Sequence, residues 1–415
     1  MSKLNLFLAA CAFGILTVAA TAQTEFTIYS FPTTGAATSF TEGRLVADSA
    51  GNLYGASESG GKNRFGFVYE LVKPVAPATK WTEVVLYSFK CRCWNGDGER
   101  PYAGVVFDAA GNLYGTTYQG GAYNEGAVFE LSPSATGWSE KLLYSFQGGT
   151  DSVGSRSNTG LAFDPSGNLW GFTNKGGDGT GSPCLGGCGT IYELTPTSGG
   201  GWQESVIYRF GKLGLGGFPV GTPVFDATGA LYGAASGGGD NRGVIYKLTP
   251  PATPGDPWTY KILHVFVGTD GAGPTGLVLR AGNLYGVTEA GGANSGSGSG
   301  DGTVFELAHP TPGSPVWTLN TLYSFGASTT DGTFPADRVA FDQQGNMWGV
   351  TARGGDSGAG TVFELVPGTN WTETIVHSFT GNSVEGGFPA VGLVQAPNGV
   401  FYGTTQQTAA FGVRP

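Results

Sequence analysis

The chain has 415 residues, of which 74 are glycine and 13% are charged, and its net charge is −10. Hydrophobic residues still make up 40% and aromatics 13%, more apolar content than a disordered chain carries, and the glycines do not keep the three-residue period of collagen. An acidic chain without clustered Lys and Arg is a poor partner for nucleic acid, whose phosphates call for such clusters.

The first 22 residues stand apart. Lys3 gives a positive start, Leu4 to Ala20 is almost wholly apolar, and Ala20-Thr21-Ala22 is a small-x-small cleavage site. This reads as a secretory signal peptide cleaved after Ala22. Leu8-Ala9-Ala10-Cys11 also fits a bacterial lipobox, but acylation at Cys11 would leave only a short apolar run before the cut. No second hydrophobic segment follows, and the C-terminal tail has no anchor-like character. The expectation is an exported, monomeric chain, residues 23–415 forming one domain with no transmembrane segment.

From there the chain repeats. The stretch GNLYGTT, Gly111 to Thr117, returns as close variants at Gly51, Gly167, Gly229, Gly282, Gly345 and, in degenerate form, Gly399, at spacings of 53 to 63 residues. A motif that persists while its spacing drifts marks a fixed structural unit with variable loops. Each unit, roughly 58 residues long, offers four short apolar segments. Gly104 to Ala109 (GVVFDA) is nearly continuous in apolar residues, as a strand buried on both faces would be. The NLYGTT strand follows, then GAVFEL from Gly126 to Leu131, then a segment opened by tryptophan, as at Trp81, Trp138, Trp202, Trp258, Trp317 and Trp371. In that last segment Trp138, Glu140, Leu142, Tyr144 and Phe146 share one face, the alternation of an outer strand packed on one side.

Seven four-stranded units predict a seven-bladed all-β propeller, because a lone blade cannot bury its two faces and a ring can. The termini point to closure. Thr24 to Phe31 copies the fourth strand with no first three before it, and the seventh unit, from Val391, has no tryptophan strand after it. The N-terminal strand should therefore complete the last blade. The third strand of that blade should read like GTVFEL, yet the chain ends Ala410-Phe411-Gly412-Val413-Arg414-Pro415. The expectation is an incomplete, partly open seventh blade.

GNLYGTT, a Gly-Gly loop, GTVFEL and WTE..LYSF, recurring in that order, resemble the Gloeo–Verruco (GloVer) tandem repeat over essentially the whole mature chain. The resemblance implies an exported, secreted or surface-displayed bacterial repeat protein, in a family with various C-terminal anchors. It implies no chemistry.

Candidate sites come from the loops. Aspartates such as Asp48, Asp108, Asp164, Asp226 and Asp342 open tight turns and are expected to bond turn amides. The loops leading into the first strand repeat a D-G-x-x-P pattern at Asp97, Asp270 and Asp331, with Glu385 a relative. They share the long-loop rim, where function concentrates. These acids either cap their own turns or ring the channel mouth, where oxygen-rich loops would suit calcium. Trp94, in the same rim, is the aromatic best placed to stack on a ligand such as a carbohydrate. Cys91 with Cys93, and Cys184 with Cys188, suggest two local disulfides in an oxidising compartment, while a four-thiolate zinc site would need both loops to meet. His264 and His377 stand where other repeats have tyrosine, and Gly355-Asp356-Ser357-Gly358 lacks a histidine to activate its serine. No catalytic residue emerges. The readings in competition are a binding or surface-interaction module for extracellular carbohydrate or protein, and a polysaccharide-acting enzyme using the rim acids as general acid and base.

Overall fold

The computed structural model describes residues 25–31, 43–90, 96–148, 159–178, 184, 186–211, 216–294, 300–406 and 409–415. The stretch read as a signal peptide, Cys91, Cys93 and Trp94 lie outside the described residues. Within them the chain forms seven four-stranded antiparallel blades, the first six in chain order from the axis outward. Blade 1 comprises Val46–Ala47, Leu53–Ser57, Phe67–Val72 and Thr82–Ser88. Blades 2 to 6 repeat this order. The inner strand of blade 6 is split into Gly332–Pro335 and Ala340–Phe341, both paired with Met347–Gly354. In blades 4 and 5 the inner strands Gly217–Phe225 and Ala272–Arg280 are continuous but shift register mid-length. The inner strand therefore bulges where it turns along the axis, a common device for bending a strand.

Burial differs from the sequence expectation in one respect. The second and third strands are the ones buried on both faces, as in Leu113–Thr117, whereas Val106–Phe107 of the inner strand is only half-buried. Inner strands border the channel, so one side of each lacks a packing layer. The outer strands alternate between half-buried and exposed positions, as in Gly137–Ser145.

Blade 7 consists of Val394–Gln395, Phe401–Thr404, Ala409–Val413 and, outermost, Glu25–Ser30. Glu25 pairs with Val413 and Ser30 with Ala409, so the N-terminal strand closes the last blade. The expected open seventh blade needs correction. Ala409–Val413 is buried throughout and paired on both sides. Five residues suffice because the ladder between second and third strands is only that long elsewhere, Ala127–Leu131 against Leu113–Thr117. Phe411 packs over Gly403 as Phe129 packs over Gly115.

The described residues hold seven buried apolar clusters, one at each seam between neighbouring blades. The seam between blades 7 and 1 joins Phe31, Tyr402 and Ala410 to Leu45, Leu53 and Tyr69. An open solenoid would lack this last seam, so the ring is closed. The outer-strand tryptophans belong to these seams. Trp258 meets Trp170 of the preceding blade at 5.1 Å between centroids, and Trp81 meets Tyr402 at 5.5 Å. The turn aspartates are structural as well. Asp108 accepts from the Asn112 amide and Asn112 Nδ2, both at 2.8 Å, and from the Tyr114 hydroxyl at 3.0 Å. Burial works to raise that carboxyl, but the hydrogen bonds outweigh it and hold it below the ordinary range.

Candidate functional site

Each loop into an inner strand crosses from the periphery of the ring to its axis. In blades 2, 4, 5, 6 and 7 its course is fixed at a proline and the residue before it. Arg100, Phe218, Gly273, Phe334 and Phe388 precede prolines and take positive φ, between 56° and 65°. A bulky side chain in this region costs about 1–3 kcal/mol and needs neighbours to hold it there. The neighbours are visible. The amide of Phe218 donates to the Cys188 carbonyl at 2.6 Å, that of Phe334 to Asp301 at 3.0 Å and that of Phe388 to Ala359 at 2.7 Å. Each accepting carbonyl comes just before the glycine that opens a third strand of the preceding blade. That glycine has to be glycine. Gly243 has φ +97°, and a Cβ on it would run into the ring of Pro274.

The four acids singled out from sequence sit at the outer end of these loops. Asp97 accepts from the Tyr87 hydroxyl at 2.9 Å and from the amides of Lys90 and Gly98 at 2.8 Å. Asp331 accepts from Tyr323 and the Ala327 amide, both at 3.0 Å. Asp270 bonds His264 Nε2 and the Val267 amide at 2.8 Å. Glu385 bonds His377 Nε2 and the Thr380 hydroxyl. In every case the carboxylate ties the start of the loop to the outer strand that precedes it. None of the four lines the central cavity. Cys184 and Cys188 are joined as a disulfide, with Cα atoms 4.9 Å apart and both side chains buried, so neither thiolate is free for a metal.

The cavity lies on the axis at the long-loop rim and measures about 570 Å³. Its walls come from the residues after each proline and from the ends of the second strands. Tyr102, Thr275, Phe334, Ser236, Glu289, Arg353 and Gln406 are among them. Ser236, Glu289, Ala352 and Gln406 hold one repeat position, the residue after the buried Ala or Thr of the second strand. Blades 4 to 7 thus each place one varying side chain from this repeat position around the mouth. Phe334 is 39% exposed, a large apolar surface for a residue held in a fixed turn. Glu289 is exposed at the mouth, and partial desolvation by the surrounding wall pushes its carboxyl up.

The cavity has a floor. Arg44, before the inner strand of blade 1, crosses the axis. Its Nε meets Asp337 Oδ2 of blade 6 at 2.9 Å, and its Nη2 donates to Thr222 Oγ1 of blade 4 at 3.1 Å. Asp337 Oδ2 also accepts the Gly392 amide of blade 7 at 3.0 Å, and the Asp337 carbonyl accepts the Thr275 hydroxyl of blade 5 at 2.6 Å. Five blades meet in this one polar cluster. The channel is thereby a cup at this rim.

Residues 12–185 and 180–413 match the Gloeobacter/Verrucomicrobia repeat. The chain belongs to this repeat family. Its propeller is similar to the extracellular domain of the hybrid two-component system BT4673 of B. thetaiotaomicron, at 12% identity and TM-score 0.55, covering 94% of this chain and 39% of that one. A second structure of a BT4673 extracellular domain, described as a one-component system, gives 11% identity and TM-score 0.55 over 94% and 40% of the two chains. The chain thus spans about two fifths of those structures, and the likeness shows the propeller fold alone. No curated protein matches the chain. Among the described residues of this Gloeobacter/Verrucomicrobia repeat protein, no helix is long and apolar enough to cross a membrane.

Proposed function

We propose that this propeller is an exported binding module whose ligand site is the floored cavity at the long-loop rim, and that the ligand is a hydroxyl-rich molecule of the carbohydrate class. The observation that carries the reading is the Arg44–Asp337 bridge, which turns an axial channel into a cup of about 570 Å³, within the size of small-ligand sites. The lining mixes aromatic faces, Tyr102 and Phe334, with hydroxyl, carboxamide and charged groups in a preformed frame. Aromatic faces beside fixed polar groups are what a sugar ring needs, apolar on one side and hydroxylated on its edge. The signal peptide supports export, and the closed ring supports a rigid display scaffold. An enzyme using Asp97, Asp270, Asp331 and Glu385 as acid and base is less well supported, since each of these carboxylates serves its own outer strand.

The test is a thermal-shift screen of the purified chain against neutral and acidic oligosaccharides. A ligand for the folded state raises the melting temperature, by a margin equivalent to about 2.7 kcal/mol at a hundredfold excess over its Kd. A panel without a single shift would contradict the carbohydrate assignment.

A further inference from the structure

The seam between blades 6 and 7 departs from the chemistry of the others. At four of the other six seams a tyrosine of one outer strand faces a glutamate of the next. The Tyr29 hydroxyl donates to Glu83 Oε2 at 3.0 Å, Tyr87 stands beside Asp97 and Glu140, and Tyr323 beside Asp331 and Glu373. At the seam between blades 6 and 7 a histidine, His377, takes the tyrosine position. Glu385 takes the aspartate position, and the facing glutamate is Glu25 of the N-terminal closing strand. The repeat has here exchanged a phenol, which is a hydrogen-bond donor, for an imidazole nitrogen, which is a metal ligand.

The geometry is that of a convergent set. His377 Nε2, a Glu385 oxygen and a Glu25 oxygen all lie within 4.8 Å of one another. His377 Nε2 is 3.9 Å from Glu25 Oε2 and is paired with Glu385 Oε1. The Glu25 side chain is only 9% exposed, and its Oε1 is buried without a hydrogen-bond partner. A buried carboxylate oxygen without a donor is costly and calls for a proton or a cation. Behind the cluster, Thr380 donates its hydroxyl to Glu385 Oε2 and receives Asn382 Nδ2. Such an outer layer of hydrogen bonds fixes the orientation of ligating carboxylates in metal sites.

We propose that His377, Glu385 and Glu25 bind one zinc-type divalent cation, which ties the closing N-terminal strand to blade 6. One imidazole nitrogen and two carboxylates supply three ligands and leave a position for water, a coordination set zinc accepts. Calcium needs six to eight oxygens and gains nothing from the nitrogen. The buried unpartnered oxygens of Glu140, Glu204 and Glu373 face tyrosines, so at those seams a proton has to serve instead. Blade 4 offers an internal control. His264 meets Asp270 at 2.8 Å, but the facing residue of blade 5 is Leu319, which leaves two ligands and no site.

The test is equilibrium dialysis of the untagged full chain against zinc chloride, with metal analysis and thermal unfolding on the same samples. The wild type should retain one zinc and melt at a higher temperature with it. His377→Tyr restores the residue that Tyr87, Tyr144, Tyr208 and Tyr323 represent at the same repeat position, so the blade should fold, and zinc affinity should fall at least about tenfold. Glu25→Gln should lose affinity to a similar degree, while His264→Tyr should bind as the wild type does. Added calcium should not displace the zinc. Absence of zinc from the dialysed wild type, or equal zinc affinity in His377→Tyr, would overturn the site. Retention by Glu25→Gln would overturn the part assigned to the closing strand, and displacement by calcium would overturn the choice of metal.

Discussion

Arg44 and Asp337 lie 293 positions apart in the chain, and their side chains meet on the propeller axis at 2.9 Å. Both are mostly buried, with 17% and 13% of their side chains exposed. Removing one partner of such a pair leaves the other charge desolvated and alone. Arg44→Ala should therefore cost about 3 kcal/mol of stability. Adding Asp337→Asn should recover part of that loss, because it removes the stranded charge. Urea denaturation of the two variants checks this, and equal losses in single and double variants would count against a paired interaction.

The seams between blades make stability depend on pH in an unusual direction. Burial first, and neighbouring acids in three of the four cases, push the carboxyls of Glu25, Glu140, Glu204 and Glu373 up to about 7 from an ordinary 4.5. The folded state then holds protons that the unfolded chain releases. Stability from these groups is complete below about pH 4.5 and is lost as pH rises through about 7. Solvent screening trims each contribution to about 1 kcal/mol. Without added metal, the urea midpoint should be higher at pH 5 than at pH 8, and Glu140→Gln with Glu204→Gln should flatten the difference. Asp108 and Asp226, held below the ordinary range by hydrogen bonds despite burial, act only in stronger acid, where they lose their contribution.

Glycine at the head of a third strand should be less replaceable than glycine in the tight turns. Gly243 and Gly229 both take positive φ, at 97° and 81°, but a Cβ meets the Pro274 ring at the first and open space at the second. Gly229→Ala should cost about 1 kcal/mol, from backbone conformation alone. Gly243→Ala should cost about 1–3 kcal/mol more, because the next blade must move. Chemical denaturation gives both values, and equal losses would show that Pro274 yields freely.

The last blade should hold as firmly as the others. Phe411 is fully buried and packs on Phe379 of blade 6 with centroids 5.0 Å apart. Phe411→Ala should cost about 3–5 kcal/mol. A loss under about 1 kcal/mol would show that the blade is frayed in solution.

The blade count was readable because GNLYG fixes one tight turn and one buried strand per unit, and ring closure because Glu25 to Phe31 has the pattern of an outer strand with no blade of its own. The short third strand of blade 7 was harder, since Ala409–Val413 drops the glutamate and leucine of its siblings and keeps only the aromatic that packs on glycine. The site was mostly hidden. Asp97, Asp270, Asp331 and Glu385 lie in loops whose rim the repeat pattern predicts, but sequence does not give radial position along a loop. Their carboxylates lie at the start of the loop, against the outer strand, whereas the residues that reach the axis are the prolines and their immediate neighbours, such as Phe334 and Thr275. Arg44 belongs to a lead-in without the D-G-x-x-P pattern, and its partners come from blades 4 and 6. The one signal in the sequence is composition: at the position before the inner strand where blades 2, 3, 5 and 7 have Gly104, Gly160, Gly276 and Gly392, blade 1 has Arg44 and blade 6 has Arg338.

The floored cup at the axis is the proposed ligand site. Its most direct test is binding of the wild type, Phe334→Ala and Arg353→Ala to an immobilised panel of polysaccharides, with His264→Tyr as a variant outside the cup. Both cup side chains are exposed, so neither change should unfold the propeller. Wild type and His264→Tyr should bind the same polysaccharides, with Phe334→Ala weaker by about tenfold and Arg353→Ala weakened on acidic members. Undiminished binding by both cup variants would place the ligand elsewhere.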